Sequence, residues 1–197
     1  MTTDILPVAG LATHLAPPAG GRWHVADYEQ LPEDGLRYEI VDGELHMAPA
    51  PNTGHQTSSG LMFYYIMQKV QLAGLGRVFS APFDVELGPD TVVQPDIVVV
   101  LHNSAASITE QRIVGPPDLV VEITSPSTAS YDRREKHDAY AAAGVREYWI
   151  ADPASRTIEL FILDGASYRL DHVYRGQAVL PSSVLPAWDV VTERLFG

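Results

Sequence analysis

Residues 92–101 read VVQPDIVVVL and residues 117–124 read PDLVVEIT. In both, β-branched residues run on without the polar alternation of a half-exposed strand, the pattern of a strand covered on both faces. An acid interrupts each run: Asp96 directly follows Pro95, and Glu122 sits within LVVEI. A carboxylate in a segment that otherwise belongs to a core must be paired, protonated or bound to a cation. Strand alternation sends Val98 and Val100 the same way as Asp96, and Val120 the same way as Glu122. The two acids are therefore expected on otherwise apolar faces near strand ends, as parts of one site. The plainer reading, that each lies at a sheet rim and meets water or an arginine, stands beside it.

Upstream, RYEIV (37–41) and ELHMA (44–48) flank Asp42-Gly43, a two-residue hairpin signal. Residues 24–31 predict a short helix with Val25, Tyr28 and Leu31 on one face, stopped by Pro32 to Gly35. The Pro-, Gly- and Ala-rich residues 1–22 are expected to form a flexible arm, leaving 23–197 as a single domain. Residues 55–74 predict a long helix with Met62, Ile66 and Val70 in one stripe, interrupted by Gly60 and ended by Gly74 and Gly76. Residues 77–87 predict a strand before 92–101, and residues 102–117 a polar loop.

Downstream, SPSTAS breaks the second acidic strand. Residues 131–144 (YDRREKHDAYAAAG) predict a helix closed by Gly144, with Asp132 and Glu135 as a capping box. Strands are expected at 146–152, 157–163 and 168–171, and a small closing element at 182–196. This order predicts an α/β protein with a mixed sheet and helices packed against it.

The 197 residues are 46% hydrophobic, enough to build a core, and contain no cysteine. That excludes disulfides, thiolate metal sites and cysteine nucleophiles. No basic segment leads into an apolar one at the start, and no apolar run approaches ~18 residues, so neither a signal peptide nor a membrane span is expected and the protein reads as cytoplasmic. The net charge of −12 argues against broad neutralisation of nucleic-acid phosphates. It argues less against a metal enzyme, because a divalent cation inverts the charge at a carboxylate cluster.

Asp132, Lys136 and Tyr140 are spaced by four and share a helix face. Lys136 is one of only two lysines, beside two arginines. A lysine there can orient water or meet developing negative charge; a solvated Asp132–Lys136 pair is the plainer alternative. Glu39 shares a strand face with Val41. His55 opens the long helix, as a cap, a ligand or a proton carrier. No phosphate loop, GxGxxG, HExxH or GxSxG occurs. Acids without sulfur ligands and with few histidines suit Mg2+ or Mn2+ better than zinc.

RYEIVDGEL (37–45), GH (54–55), QPDIVVV (94–100), PDLVVEITSPST (117–128), the Asp132–Lys136–Tyr140 helix and GVREYWIADP (144–153) resemble the Uma-two family, domain of unknown function 820, from about residue 24 to residue 190. That family carries a restriction-endonuclease label and is similar to the PD-(D/E)XK nucleases. The resemblance implies a restriction-endonuclease-like mixed central β-sheet flanked by helices. It makes Pro95-Asp96 the PD pair, Glu122 the second acid and Glu39 the preceding acid. The superfamily pattern expects lysine two residues after the second acid, where this chain has Thr124; the resemblance implies that Lys136 replaces it from the next helix.

By the same resemblance Asp96, Glu122 and the Ile123 carbonyl, with Glu39, would hold Mg2+ or Mn2+, and His55, Asp132 and Tyr140 would be accessory. The implied activity is metal-dependent hydrolysis of nucleic acid, DNA before RNA; the net charge predicts weak binding, and a homodimer is expected. Two rivals stand against it. One is a nuclease fold that has lost its chemistry. The other is a dimeric interaction module presenting the sheet around EYWIAD and IELFIL, although Trp149 reads as core.

Overall fold

The computed structural model describes residues 10–12, 15–32 and 34–197. Its elements begin with β1 (Gly10–Leu11), α1 (Val25–Tyr28), β2 (Arg37–Val41), β3 (Glu44–Ala48) and α2 (Thr53–Lys69). Next come β4 (Gly76–Ser80), β5 (Asp84–Gly88), β6 (Thr91–Val93), β7 (Ile97–Leu101), β8 (Ser107–Ile108), β9 (Arg112–Val114) and β10 (Leu119–Ile123). A helical stretch follows: α3 (Ala129–Tyr131), a π-helical turn (Asp132–Lys136) and α4 (His137–Ala143). β11 (Glu147–Asp152), β12 (Thr157–Asp164), β13 (Ser167–Arg175) and a 3-10 turn (Thr192–Leu195) complete the order.

The strands form two mixed sheets, ordered β1-β3-β2-β6-β5-β9-β8 and β13-β12-β11-β10-β7-β4. Among the described residues only β5 with β9 and β10 with β11 pair in parallel. Alternation along β7 and β10 divides the core. Ile97, Val99, Leu119 and Val121 pack under α2 with Met62, Ile66 and Trp149. Val98, Val100 and Val120 face the other way, onto Tyr140, Tyr148 and the first sheet's Val41, Val85 and Val93.

The Asp42-Gly43 turn forms as read, with both residues at positive φ, 50° and 77°; aspartate tolerates that region and glycine has no Cβ to obstruct it. The stripe of Met62, Ile66 and Val70 is fully buried. The long helix starts at Thr53 rather than His55, because Asn52 caps it by accepting from the His55 amide at 3.0 Å. Gly60 lies inside this helix with open space where a Cβ would stand. Gly60→Ala is therefore expected to stabilise the protein by about 0.5–1 kcal/mol, read as a rise in thermal midpoint with unchanged far-UV circular dichroism.

The single strands expected at 77–87 and 92–101 are each two strands in different sheets: β4 then β5, and β6 then β7. Pro82 and Pro95 lie at the two crossings, and a residue without an N–H cannot continue a ladder. One central sheet thus becomes two mixed sheets, and Asp96 stands in the crossing before Ile97 instead of inside a strand. The expected loop 102–117 holds β8 and β9, and YRLD grows to the nine residues of β13. The predicted capping box is absent. Thr128 is the N-cap, and Asp132 lies buried inside the helical stretch.

EYWIAD is an interior strand with Trp149 fully buried, its ring 5.4 Å from Trp188. The exposed edge is β13, where Leu170 and Val173 face solvent. Val184, Leu185, Val190, Leu195 and Phe196 of the closing segment join the core under α2. Within the expected arm, β1 pairs with β3 and Ala12 is buried, while residues 1–9, 13 and 14 lie outside the described residues. No helix among the described residues is long and apolar enough to cross a membrane.

Candidate active site

The crossing before β7 brings Asp96 to the end of β10, where Asp96 Oδ2 accepts the Ile123 amide at 2.8 Å and meets His55 Nε2 at 3.0 Å. The hairpin strand β2 sends Glu39 inward from the first sheet; Glu39 Oε1 accepts the Gln94 amide at 2.7 Å. The π-helical turn delivers Lys136 between the two sheets. Its ammonium lies 2.8 Å from Glu39 Oε1 and 2.9 Å from Glu122 Oε1. One turn on, the Tyr140 hydroxyl donates to the same Glu122 Oε1 at 2.6 Å.

A π turn holds more residues per turn than an α-helix and shifts the faces that follow it. Here Lys136, Tyr140 and Asp132 end on the buried side while Arg134, Glu135 and Asp138 stay outside. A cavity of about 350 Å³ opens over this cluster. Glu39, Asp96, Glu122, Asp132, Lys136 and His55 all line it, whereas Tyr140 supports Glu122 from behind. Hydroxyls of Ser125, Ser127 and Thr128 form part of its wall.

Charge is the dominant feature. Glu39, Asp96, Glu122 and Asp132 are each buried, and among them lies one buried lysine. Burial, opposed by Lys136 and reinforced by Asp96, Asp132 and Glu39, pushes the Glu122 carboxyl up to about 8. Burial also raises Asp132, against Lys136 and the hydroxyls of Thr128 and Thr124. For Lys136, burial favours the neutral amine, but Glu122 and Glu39 outweigh it and hold the ammonium well above its ordinary range. The site is rich in negative charge that its own cation does not balance.

Among the described residues no three His, Asp or Glu side chains stand at the spacing of a ready metal cage. The carboxylates are nevertheless half free. Protein donors to Glu122 and Asp96 use Glu122 Oε1 and Asp96 Oδ2, leaving Glu122 Oε2 and Asp96 Oδ1 without a donor among the described residues. Two carboxylate oxygens beside a cavity fit a magnesium-type ion, which keeps several waters and takes one or two carboxylates from the protein.

Every residue singled out from the sequence falls in or against this cluster. The solvated Asp132–Lys136 pair does not form: both side chains are buried, and Lys136 pairs with Glu39 and Glu122 instead. His55 is not the helix cap, since Asn52 fills that place and accepts the His55 amide, and the His55 ring lies against Asp96. Tyr131, His46 and Arg37 were not singled out. The Tyr131 ring lies 5.4 Å from the Lys136 ammonium, with His46 packed 4.5 Å from it. His46 sits opposite Glu39 in the hairpin, so the Asp42-Gly43 register was the signal for it. Arg37, two residues before Glu39 on the same strand face, also lines the cavity.

The family model Uma2, described as putative restriction endonuclease, matches residues 25–193. Among solved structures the chain is similar to a putative nuclease of the DUF820 group from Anabaena variabilis. The TM-score is 0.74 at 20% identity, covering 88% of this chain and 97% of that one. At that identity the likeness speaks for the fold. No curated protein matches the chain.

Proposed function

The chain belongs to the Uma2 family of putative restriction endonucleases, and from that premise we propose that it hydrolyses phosphodiester bonds of nucleic acid with the help of Mg2+ or Mn2+. The observation that carries this reading is one buried lysine, paired with Glu39 and Glu122, among four buried carboxylates around an open cavity. Such a cluster is short of positive charge, and its two free oxygens suit a hard cation.

Asp96 Oδ1 and Glu122 Oε2 would hold the ion, with the Ile123 carbonyl and Glu39 close by. Held there, a divalent ion would supply acidification of a water and offset of charge on the scissile phosphate. His55 and the Ile123 amide fix the Asp96 carboxylate through its other oxygen. Tyr140 and Lys136 fix Glu122 in the same manner. Glu39 and Glu122 engage two of the three N–H groups of Lys136. The third is left to orient the attacking water or to meet negative charge as it develops. The lysine that the PD-(D/E)XK pattern places at Thr124 thus has a substitute 2.9 Å from the second acid.

DNA is the expected substrate, held weakly and lost at high salt, since a chain of charge −12 gains little from phosphate contacts. The test is cleavage of labelled DNA and RNA panels at low salt, with Mg2+, with Mn2+ and with chelator. Metal-dependent product from any substrate supports the reading. Intact substrates throughout would sink it and leave a catalytically silent nuclease fold.

The raised Glu122 adds a pH signature. The stability that its proton contributes to the metal-free fold is complete below its ordinary value of 4.5 and is lost as pH rises through about 8. Metal must displace that proton, so binding strengthens as pH rises, by roughly tenfold per unit below the Glu122 value. Mn2+ is expected to raise the thermal midpoint far more at about pH 8.5 than at about pH 6. Glu122→Gln should remove the difference; an equal Mn2+ effect at both pH values in the unmutated protein would take Glu122 out of the ligand set.

A further inference from the structure

A second cavity of about 400 Å³ meets the first at the Asp96–His55 pair. Its wall shares Arg37, Pro51, His55 and Asp96 with the first cavity. The remainder includes Gln56, Ser59 and Ser80, which are small polar groups, the ring of Phe63, and Gly60. The acid–histidine pair and Arg37 therefore border both spaces.

Arg37 is unlike the arginines elsewhere on the same sheet. Arg112 is held by Glu29 and Glu86 at 2.9 and 3.1 Å. Arg37 is half-buried, and its one recorded bond is a 3.4 Å contact from Nη2 to the Pro49 carbonyl. Among the described residues no carboxylate lies within pairing distance of it. A guanidinium has five donors in a planar fork suited to phosphate, and here most of that fork is unused. Its place on β2 separates it from Glu39 by two residues, roughly 7 Å along the strand, a span on the scale of one nucleotide of an extended strand. Gly60 is the other pointer. It lies inside α2, where glycine weakens a helix, and the space a Cβ would occupy is open. A bare backbone there keeps the second cavity wide.

We propose that the second cavity seats the nucleotide next to the cleaved bond, with Arg37 binding its phosphate and Phe63 offering a face to its base. This rests on the phosphodiesterase reading. Asp96 and His55 then divide the scissile phosphate from its neighbour. One well-placed cation serves a strongly acidic protein better than a basic surface would, because the contact is local and geometric. Stacking on Phe63 is tolerant of base identity.

Two pairs of variants test it: Arg37→Gln with Arg37→Lys, and Gly60→Phe with Gly60→Ala. Thermal midpoints report folding for all four. Steady-state cleavage gives kcat and KM, and anisotropy of a labelled oligonucleotide with Ca2+ in place of Mg2+ gives affinity across a salt series. Arg37→Gln should raise KM about tenfold or more with kcat within about twofold, and should lower the slope of log affinity against log salt by about one. Arg37→Lys should retain the slope. Gly60→Phe, which fills the cavity, should raise KM far more than Gly60→Ala, which adds one methyl group. Unchanged KM and salt slope in both Arg37→Gln and Gly60→Phe overturn the inference while leaving the nuclease reading intact. Altered oligonucleotide affinity in a protein that cleaves nothing keeps the phosphate seat and removes the nuclease reading. A wild-type protein that binds no oligonucleotide at all overturns both.

Discussion

Lys136→Met is expected to lose about 3–5 kcal/mol of stability and about 10²–10³-fold in kcat. The cause is the same in both cases. Lys136 is the cation that Glu39 and Glu122 share inside the protein, at 2.8 and 2.9 Å. Methionine fills the volume but leaves two buried carboxylates without their shared cation, with only the Tyr140 hydroxyl on Glu122 and the Gln94 amide on Glu39. Protonation gives them an escape, and the Glu122 carboxyl, already pushed up to about 8, takes it first. The loss should therefore be largest above about pH 8 and shrink in acid, visible as a difference in denaturant midpoints. Adding Glu39→Gln to Lys136→Met should recover much of the stability and none of the cleavage. A Lys136→Met protein as stable and as active as wild type would show that the ion cluster is incidental.

How much of this was visible in advance differs from residue to residue. Asp42-Gly43 requires a tight hairpin whatever surrounds it, and that hairpin fixed both Glu39 and the face it occupies. Glu122 stood out because an acid in LVVEI must be paired, protonated or cation-bound unless the sheet rim exposes it, and the rim reading fails because the side chain is buried. Lys136 was found by its spacing to Asp132 and Tyr140, but spacing by four assumes an α-helix. The π turn gives these residues their partners, and nothing in DRREK announces one. Asp96 was found for a reason that proved incomplete: the run VVQPDIVVVL reads as one strand because hydrophobicity is continuous across two sheets. Pro95 was the available sign of the crossing. Arg37 escaped notice because its distinction is the lack of a carboxylate partner among the described residues, which is a property of the fold alone.

The crossing also explains why the site is where it is. β6 belongs to the first sheet and β7 to the second, so residues 94–96 must bridge them. Gln94 anchors the bridge to the first sheet through its amide on Glu39 and its side chain on Asp84, at 2.7 and 2.8 Å. Asp96 anchors it to the second through the Ile123 amide at 2.8 Å. The peptide that joins the sheets therefore also ties Glu39 to Asp96. The carboxylate cluster is a consequence of topology: backbone amides hold Glu39 and Asp96 from the two sides, and the Lys136 and Tyr140 side chains hold Glu122 between them.

Asp96→Asn separates chemistry from folding more cleanly than any substitution at Lys136. Asparagine keeps the shape, and its side-chain oxygen can still accept from the Ile123 amide, the bond that holds the crossing to β10. The charge is what disappears. Four buried carboxylates around one lysine become three, which relieves repulsion. Stability is expected to change by less than about 1 kcal/mol, or to rise. Glu122 loses one of the groups that push it up, so its titration should move down toward the ordinary range. Cleavage, in contrast, is expected to fall on the order of 10³-fold, with Mn2+ no longer raising the thermal midpoint. His55→Gln supplies the counterpart. It removes the ring that orients Asp96 but leaves the carboxylate, so metal affinity and rate should drop by only about 10–100-fold, with an altered pH profile. Wild-type cleavage by Asp96→Asn would place the chemistry away from this cluster altogether. Loss of folding would mean that the Asp96 charge, rather than its hydrogen bond, holds the two sheets together.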